Sequence, residues 1–353
     1  MVKKNEFSLR DGITPIGVAF YIAPYVNATI RMGDQEEKLM LFESMLDFRG
    51  YEQVPSTKRG CKGQMETRVE QACRNCANIK NRQTKARDSA LETIENIIEK
   101  NNLLENKILA VQLENFSADK NLTGLIANQL MAKYQRPVLL LNRVSTFNTY
   151  LDENNLPVMV ENITWEGSGR GYDKSRFDNF KEFLNESGLV NYAQGHANAF
   201  GAGIPDYLFT DFIEYSNKQL ASFDFTPCYK ADFIFNGGNF NGNDIIEIAG
   251  LKSLWGQGID EPYVIIENIK VTKDNITLMS PDKNPTLKIM LSNGTSLIKF
   301  KSSAEELENL KSPTGCITIT VVGRCERNMW NGTVSPQVIV EDYEITNKID
   351  YYF

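Results

Sequence analysis

One stretch of this chain constrains its fold more than any other, because neither proline nor glycine interrupts the sequence from Glu66 to Lys100. Apolar residues recur along it at steps of three and four, which places them on one side of a helix. They are Val69, Cys73, Cys76, Ile79, Ala86, Ala90, Ile94 and Ile97. The spacing therefore predicts one long helix with an apolar side.

The same stretch holds the densest basic group in the chain. Four cations with no acid among them fall within eight residues, and they are Lys80, Arg82, Lys85 and Arg87. Charged residues on a helix usually form a solvated face, whereas a cluster of one sign can also contact a DNA backbone. Both interpretations stay open at this point.

Cysteine usage argues against a disulfide framework. The six cysteines lie at positions 61, 73, 76, 228, 316 and 325, too thinly spread to staple a chain of 353 residues. Cys73 and Cys76 have a zinc-like spacing, but no second pair follows and they fall in the helical pattern. We expect reduced thiols and no metal site in this chain.

Composition indicates a globular protein, with 42% hydrophobic and 24% charged residues. The start has no apolar run of signal-peptide length, and no window approaches the roughly 18 apolar residues of a membrane span. We therefore expect a cytoplasmic protein without a membrane partner. The net charge of −7 argues mildly against nucleic-acid binding, although an enzyme that holds DNA in one channel needs only a local basic stripe.

Two glycine-rich stretches carry the chemistry. Gly195–Gly203 contains His196, the only histidine of the chain, and Glu166–Asp173 sets Ser168 and Arg170 among three glycines. Exposed backbone amides, a guanidinium and an imidazole suit a phosphate or a proton transfer. Glycine-bounded turns without a ligand are the alternative. In both interpretations these stretches are predicted to be loops.

The remaining chain suggests an α/β layer followed by short strands. Gly17–Ala23 is predicted to be a buried strand or loop. Ile108–Phe116 and Pro137–Leu141 are predicted strands on either side of a helix over Asn121–Tyr134, and a further helix is expected over Asp206–Ser222. Alternating apolar residues then mark about five strands of a small barrel, namely Val264/Ile266, Leu287/Ile289/Leu291, Ile298/Phe300, Ile317/Ile319/Val321 and Val338/Val340.

Taken together, the two glycine stretches resemble motifs of the DHHA1 domain as it occurs in RecJ-type single-stranded-DNA exonucleases. There the pattern is G-S-G-R-S followed by G-G-H-x-x-A-x-G. Gln194 replaces the first glycine of the second motif here, Phe200 a small residue, and Gly171 the serine.

Other segments extend the resemblance from about residue 17 to 345. Pro24–Gly33 resembles P-R-x-N-A-x-G-R at the end of the DHH domain, with Tyr25 for the arginine and Ile30 for the glycine. Gly124–Leu130 and Tyr134–Pro137 look like G-x-x-A-x-x-L and Y-x-R-P. Leu254–Pro262 resembles the P-F-G-x-G-N-x-x-P start of the OB-fold domain, with Trp255 for the phenylalanine.

The resemblance implies a fold class of α/β plus β, with an α/β DHHA1-type domain, a long bridging helix and an OB-fold barrel. The implied domains are residues 1–62 as the end of a DHH domain, 63–104 as the bridging helix, 105–213 as the DHHA1 domain and 214–353 as the OB-fold domain.

It also implies a set of site residues. His196 would be catalytic, and a phosphate would be bound by Ser168, Gly169, Arg170, Gly195, Gly201, Asn27 and Arg31. Lys80, Arg82, Lys85 and Arg87 would contact the DNA backbone. Bases would stack on Trp255, Tyr263 and Trp330, although Asn328–Gly332 looks like a hairpin tip whose tryptophan packs only locally.

The superfamily cleaves phosphodiesters with two divalent metals held by aspartates and a His-His pair. A chain with one histidine cannot contain that pair. We therefore expect no cofactor in this chain, with Mn²⁺ or Mg²⁺ bound only in a partner DHH domain.

Three functions remain open. In the first, the chain is the substrate-binding half of a split RecJ-like exonuclease whose metal domain is a separate DHH-domain polypeptide. Alternatively, it is a non-catalytic single-stranded-DNA-binding or regulatory protein derived from that family, or a component of an oligonucleotide phosphodiesterase. The OB domain argues against the third, because a short substrate needs no long binding track.

Overall fold

The computed structural model describes residues 1–6, 9, 12–114, 120–151, 153, 156–256, 258–311 and 315–349. The chain divides into two compact units. The α/β unit is Ala23–Cys228, and the β unit combines Met1–Ile22 with Tyr229–Phe353. The finer domain boundaries expected after residues 62, 104 and 213 stay predictions.

The α-helices, in chain order, are α1 (Pro15–Tyr21), α2 (Ala23–Met32), α3 (Gln35–Ser44), α4 (Asp47–Gly50), α5 (Arg68–Lys100), α6 (Thr123–Tyr134), α7 (Phe180–Ser187), α8 (Phe209–Gln219), α9 (Gly242–Gly250) and α10 (Ala304–Asn309). The strands are β1 (Gln53–Pro55), β2 (Met65–Thr67), β3 (Leu109–Leu113), β4 (Val138–Leu151), β5 (Pro157–Arg170), β6 (Tyr192–His196), β7 (Ala199–Pro205), β8 (Phe233–Asn236), β9 (Val264–Val271), β10 (Ile276–Met279), β11 (Thr286–Met290), β12 (Ser296–Phe300), β13 (Cys316–Trp330) and β14 (Thr333–Ile349).

The long helix is confirmed as α5. Thr67 caps its start and forms a capping box with Glu70, which satisfies two backbone N–H groups that the first turn leaves free. Its buried side includes Cys76, Ile79 and Ile94. Cys76 is thus a core residue, and burial raises the pKa of its thiol.

The predicted strand or loop at Gly17–Ala23 is wrong, because this segment is helical. Thr14 accepts a hydrogen bond from the Gly17 amide and Pro15 occupies the first turn, a common way to begin a helix. Val18 and Phe20 are exposed rather than buried. The apolar run alone did not distinguish a short helix from a strand.

The α/β unit is built on a five-stranded sheet in the order β3-β4-β5-β7-β6. β3 and β4 run parallel, as a strand–helix–strand connection requires, and the other pairs are antiparallel. One face packs against α5 and α6 through residues such as Ile94, Ile126 and Leu140. The other face packs against α7 and α8 through Phe180 and Phe212. The predicted strand–helix–strand layer is confirmed for the described residues, and the predicted strand end at Asn115–Phe116 lies outside them.

The two glycine stretches are strands rather than loops. Residues 166–170 end β5, and residues 195–196 and 199–203 belong to the β6–β7 hairpin. The glycines leave room for rings here: a Cβ on Gly169 would lie 2.4 Å from the Phe200 ring, and one on Gly203 2.5 Å from the Tyr192 ring. Glycine in these strands lets an aromatic ring lie close to the backbone, and it does not mark a turn.

The β4–β5 hairpin extends beyond the sheet, and the sequence did not predict it. β3 pairs with β4 only to Asn142, and β7 pairs with β5 only from Thr164. The remaining ribbon is two strands wide and exposes Phe147, Tyr150 and Met159.

The β unit is organised around a seven-stranded sheet in the order β10-β11-β12-β14-β13-β9-β8. The five predicted strands correspond to β9, β11, β12, β13 and β14, while β8, β10, α9 and α10 were not predicted. Among the described residues no strand pairing joins β10 to β8, so the expected barrel is not closed. Register shifts at Thr318/Ile319 and Val322/Gly323 bend the β13–β14 hairpin.

No helix within the described part of the chain is long and apolar enough to cross a membrane.

Candidate functional site

The site begins at the first turn of α6, beside the end of β5. The hydroxyl groups of Thr123 and Ser168 are 2.9 Å apart. Arg170 donates from Nη1 to the Gly169 carbonyl at 2.6 Å, and its Nη2 lies over Gly124, where a Cβ would be only 2.5 Å away. The N-cap position of α6 is Leu122, which has no side-chain acceptor for the first amides. This corner therefore combines hydroxyl groups, a guanidinium and helix N-terminal amides, the groups that bind phosphate.

Three cations are coupled electrostatically around this corner. Burial lowers the pKa of Arg170, and the neighbouring charge of Arg31 lowers it further. The pKa of Lys80 is lowered first by burial and then by Arg87 and Arg31. Among the described residues, Arg31, Lys80 and Arg170 form no ion pair with a carboxylate. Positive charges that destabilise one another in this way attract an anion.

Asn27 and Arg31 lie on α2, and because they are four residues apart their side chains share one face of the helix. The Arg31 carbonyl accepts a hydrogen bond from the Asn121 side-chain amide at 3.3 Å. This bond ties the end of α2 to the segment that precedes α6. The structure thus brings Arg31 toward Arg170.

His196 lies in the same register row as Arg170. Ala199 of β7 pairs with Arg170 of β5 on one side and with His196 of β6 on the other. Directly paired residues of antiparallel strands point to the same face, so Arg170 and His196 share the face that carries α6. Their backbones are two strand spacings apart, about 10 Å. One phosphate group with its sugar would span that gap.

The sequence analysis missed Asn198, which holds the β6–β7 turn in place. Its Nδ2 donates to the Asp173 carboxylate at 2.7 Å, its Oδ1 accepts from the Phe180 amide at 3.2 Å, and its carbonyl accepts from the Gly171 amide at 2.9 Å. These bonds fix the His196 strand against the end of β5. The sequence signal that could have indicated this role is a single asparagine within a run of small residues.

Gly195 and Gly201 differ in what they contribute. Gly195 has a φ of 136°, and a Cβ there would lie 2.8 Å from the Ala199 carbonyl. At Gly201 a Cβ would meet only backbone oxygens, at 3.7 and 4.0 Å. The backbone conformation at position 195 therefore requires glycine, whereas Gly201 leaves open space above the sheet.

The four cations of α5 do not form one patch. At 100° per residue, Lys80 and Arg87 share one side of the helix, and Arg82 and Lys85 lie on nearly the opposite side. Arg82 pairs with Glu37 at 2.9 Å, and Arg87 contacts Asp88 at 2.6 Å. Lys80 is coupled to the corner through Arg31, whose charge adds to burial in lowering the pKa of Lys80.

The three stacking candidates differ in exposure. Trp330 is 74% exposed at the tip of the β13–β14 hairpin, where Asn331 and Gly332 have positive φ and form the turn. Trp255 is half-buried. Tyr263 packs edge-on against Tyr229, accepts a hydrogen bond from Arg324 at 2.7 Å and has the Arg324 guanidinium 4.9 Å from its ring. Trp330 therefore offers the most accessible ring of the three, contrary to the local packing expected from the sequence.

A cavity of about 560 Å³ lies within the β unit. It is lined by Lys252 and Arg324 together with Glu261, Glu326 and Glu341. Burial raises the pKa of Glu261, while Arg324 lies 3.5 Å from it and 3.8 Å from Glu341. The balance of charge is acidic, so this cavity does not suit a phosphate.

No group of three or more His, Cys, Asp or Glu residues could hold a metal ion in the ranges that the structure describes. Those residues therefore do not fit a two-metal centre. The buried Cys325, whose pKa burial raises to about 12, lies in the core of the β unit.

The chain is similar to RecJ proteins in fold and, over one domain, in sequence. Residues 239–342 match the RecJ OB domain. The structure is similar to crystal structures of RecJ from Thermus thermophilus in complex with Mn²⁺ and with Mg²⁺, with TM-scores of 0.61 and 0.59 and sequence identities of 15% and 16%. These matches cover 99% of this chain, and 44% and 47% of those chains.

Two curated relatives are each 31% identical to this chain over 350 residues. They are the putative SPbeta prophage-derived single-strand DNA-specific exonuclease YorK of Bacillus subtilis strain 168 and the putative single-strand DNA-specific exonuclease yorK of Bacillus phage SPbeta. The match covers 98% of this chain and 57% of each relative, so the chain spans little more than half their length. The expected resemblance to RecJ-type exonucleases is confirmed.

Proposed function

We propose that this chain holds single-stranded DNA as the substrate-binding part of a RecJ-like exonuclease, and that a separate DHH-domain polypeptide supplies the metal centre. The observation that carries the proposal is the cluster of Arg31, Lys80 and Arg170 beside Ser168 and the first turn of α6. Its charges have no carboxylate partner among the described residues. The relatives named as single-strand DNA-specific exonucleases support the choice of substrate.

In this proposal the Ser168 and Thr123 hydroxyl groups and the α6 amides bind the oxygens of a nucleotide phosphate. Arg170 neutralises its charge, and burial strengthens that interaction because little water screens it. His196, on the far side of the same row, donates a hydrogen bond to the phosphate or moves a proton during hydrolysis. Residues of this chain thus bind and orient the strand.

The test is nuclease activity on a labelled single strand with Mn²⁺ or Mg²⁺, first with the chain alone and then with a DHH-domain polypeptide. We expect no metal-dependent cleavage by the chain alone, and cleavage when the partner is added. Cleavage by the chain alone that follows the protein through purification and disappears in His196→Ala would contradict the proposal.

The second candidate is a non-catalytic single-stranded-DNA-binding protein, which the match to the RecJ OB domain and the exposed Trp330 favour. It predicts tight binding of single strands and no cleavage with any DHH-domain partner. An oligonucleotide phosphodiesterase component stays the least supported, because the OB-like unit offers a longer track than a short substrate needs.

A further inference from the structure

The face of β6 and β7 beside the phosphate corner is open. Helix α6 packs against β4 and β5, and the adjoining residues of β6 and β7 on that face, Gln194, His196 and Ala199, are exposed. Gly201 lies among them, and a Cβ there would meet no side chain within 4 Å. The sheet thus provides a flat floor about one nucleotide wide next to Ser168 and Arg170.

Three register rows cross this floor. The first joins Arg170, Ala199 and His196, the second joins Ser168, Gly201 and Gln194, and the third joins Glu166, Gly203 and Tyr192. The Tyr192 ring lies over Gly203, and burial together with the neighbouring Glu166 raises the pKa of its hydroxyl group. Charge therefore changes along the floor from cationic in the first row, through neutral in the second, to acidic in the third.

This gradient fixes how a nucleotide can lie. A phosphate is attracted to the first row and repelled by Glu166 in the third, since like charges in a partly buried site destabilise each other. An uncharged sugar and base suffer no such repulsion, and a glycine floor lets them approach the backbone closely. A nucleoside joined to a phosphate in the first row would therefore extend toward Gln194 and Tyr192.

We propose that the second and third rows form a nucleoside subsite, with Gly201 as its floor, Gln194 as its polar contact and the Glu166–Tyr192 pair as an end that excludes a further phosphate. The proposal rests on the proposed function, because the phosphate corner sets the position of the nucleoside. Gln194 stands where the RecJ-type motif has glycine, and its carboxamide can both donate to and accept from a sugar hydroxyl or a base edge. This chain thus adds a contact that the motif lacks.

The experiment measures binding of a short 5′-phosphorylated oligothymidylate to the whole chain, with inorganic phosphate as a competitor that probes the corner alone. We expect Gly201→Val to weaken oligonucleotide binding about tenfold or more, and Gln194→Ala about threefold to tenfold. Both should leave the affinity for inorganic phosphate within about twofold. Gln219→Ala, at the exposed end of α8, is the matched control and should change neither.

A third variant tests the acidic end. Glu166→Gln should narrow the preference for thymidine 5′-monophosphate over thymidine 3′,5′-bisphosphate, because it removes the charge that repels a second phosphate at the nucleoside end. The subsite is wrong if Gln194→Ala and a folded Gly201→Val both bind the oligonucleotide as the unaltered chain does. If Gly201→Val does not fold, Gln194→Ala alone tests the subsite, and unchanged oligonucleotide binding by that variant contradicts it. A different result would contradict the proposed function itself. In that case Arg170→Ala would change neither the binding of the oligonucleotide nor the binding of inorganic phosphate.

Discussion

Arg170 is the residue on which most of the site depends, because it is desolvated and yet makes its one hydrogen bond within the described residues to the Gly169 carbonyl. A buried guanidinium normally pairs with a carboxylate. Here the neighbouring charge that shifts its pKa is that of Arg31, which is also positive. An anion bound beside Arg170 would offset the energetic cost of this arrangement.

Arg170→Ala should therefore weaken binding of a 5′-phosphorylated single strand by about 1.5–3 kcal/mol, the range for hydrogen bonds to charged groups. A strand without the 5′-phosphate should lose much less. Fluorescence anisotropy with both strands measures the difference. Arg143→Ala is the control, since Arg143 lies on β4 and pairs with Glu161 at 2.9 Å. Equal losses for the two strands in Arg170→Ala would contradict a phosphate contact.

Single residues also show what the sequence could predict of the site. Ser168, Arg170 and His196 were chosen from a motif, and the register then brings Arg170 and His196 to one face of the sheet. The contribution of Thr123 and the anchoring by Asn198 could not be predicted, because both depend on which strand lies beside which helix. Short polar residues carry no periodic signal that reveals such tertiary neighbours.

At the scale of elements, α5 presents two different sides to its surroundings. Its apolar stripe was predictable from spacing because burial on one side imposes a period of 3.6 residues. Its cations were treated as one patch because they are close in sequence, although the helix separates them. The strands at residues 166–170, 195–196 and 199–203 were mistaken for loops for a related reason. Glycine there accommodates the rings of Phe200 and Tyr192, and a turn signal does not reveal this.

The two sides of α5 give a direct prediction. Lys80→Ala should weaken single-strand binding and lower the slope of log affinity against log salt by about 0.7, the contribution of one phosphate contact on single-stranded DNA. Lys85→Ala, on the nearly opposite side of the helix, should leave the slope unchanged. Titrations at several salt concentrations measure both slopes. Equal slope changes in the two variants would show that the side of α5 that carries Lys80 has no special role.

The start of α5 predicts a pH dependence of stability. Arg74 forms a hydrogen-bonded ion pair with Glu66 of β2. This pair, together with hydrogen bonds from Gln71 and the Thr57 amide, lowers the pKa of Glu66 to about 2. A carboxyl whose pKa falls on folding stabilises the fold above its unfolded pKa, and that stabilisation is lost as the pH falls toward the folded value.

Glu66→Gln should therefore lower the free energy of unfolding at pH 7, and the difference from the unaltered chain should shrink between about pH 4.5 and pH 2. Urea unfolding at a series of pH values measures it. Glu92→Gln, at an exposed position of α5, is the control and should show a much smaller effect. A difference that does not vary with pH would mean that packing, and not ionisation, explains the loss.

At the scale of the whole molecule, the proposed function requires that two units of different construction each contact the single strand. The α/β unit offers the phosphate corner and the open glycine floor, and the β unit offers the exposed ring of Trp330 on a long hairpin. The strands of the β unit were predictable because each alternates apolar and polar residues. The open order of its sheet was not, because pairing between distant strands leaves no trace in local alternation.

These surfaces predict a preference for single strands over duplex, because unpaired bases can stack on an aromatic ring and duplex bases cannot. Trp330→Ala should weaken binding of a long single strand by about 1–3 kcal/mol and leave binding of a duplex of equal length nearly unchanged. Met329→Ala, the adjacent exposed apolar residue, is the control for loss of contact area without loss of a ring. Competition between labelled single-stranded and duplex DNA measures the preference. If the unaltered chain binds both with equal affinity, or if Met329→Ala reduces binding as much as Trp330→Ala, base stacking at this hairpin does not contribute to recognition.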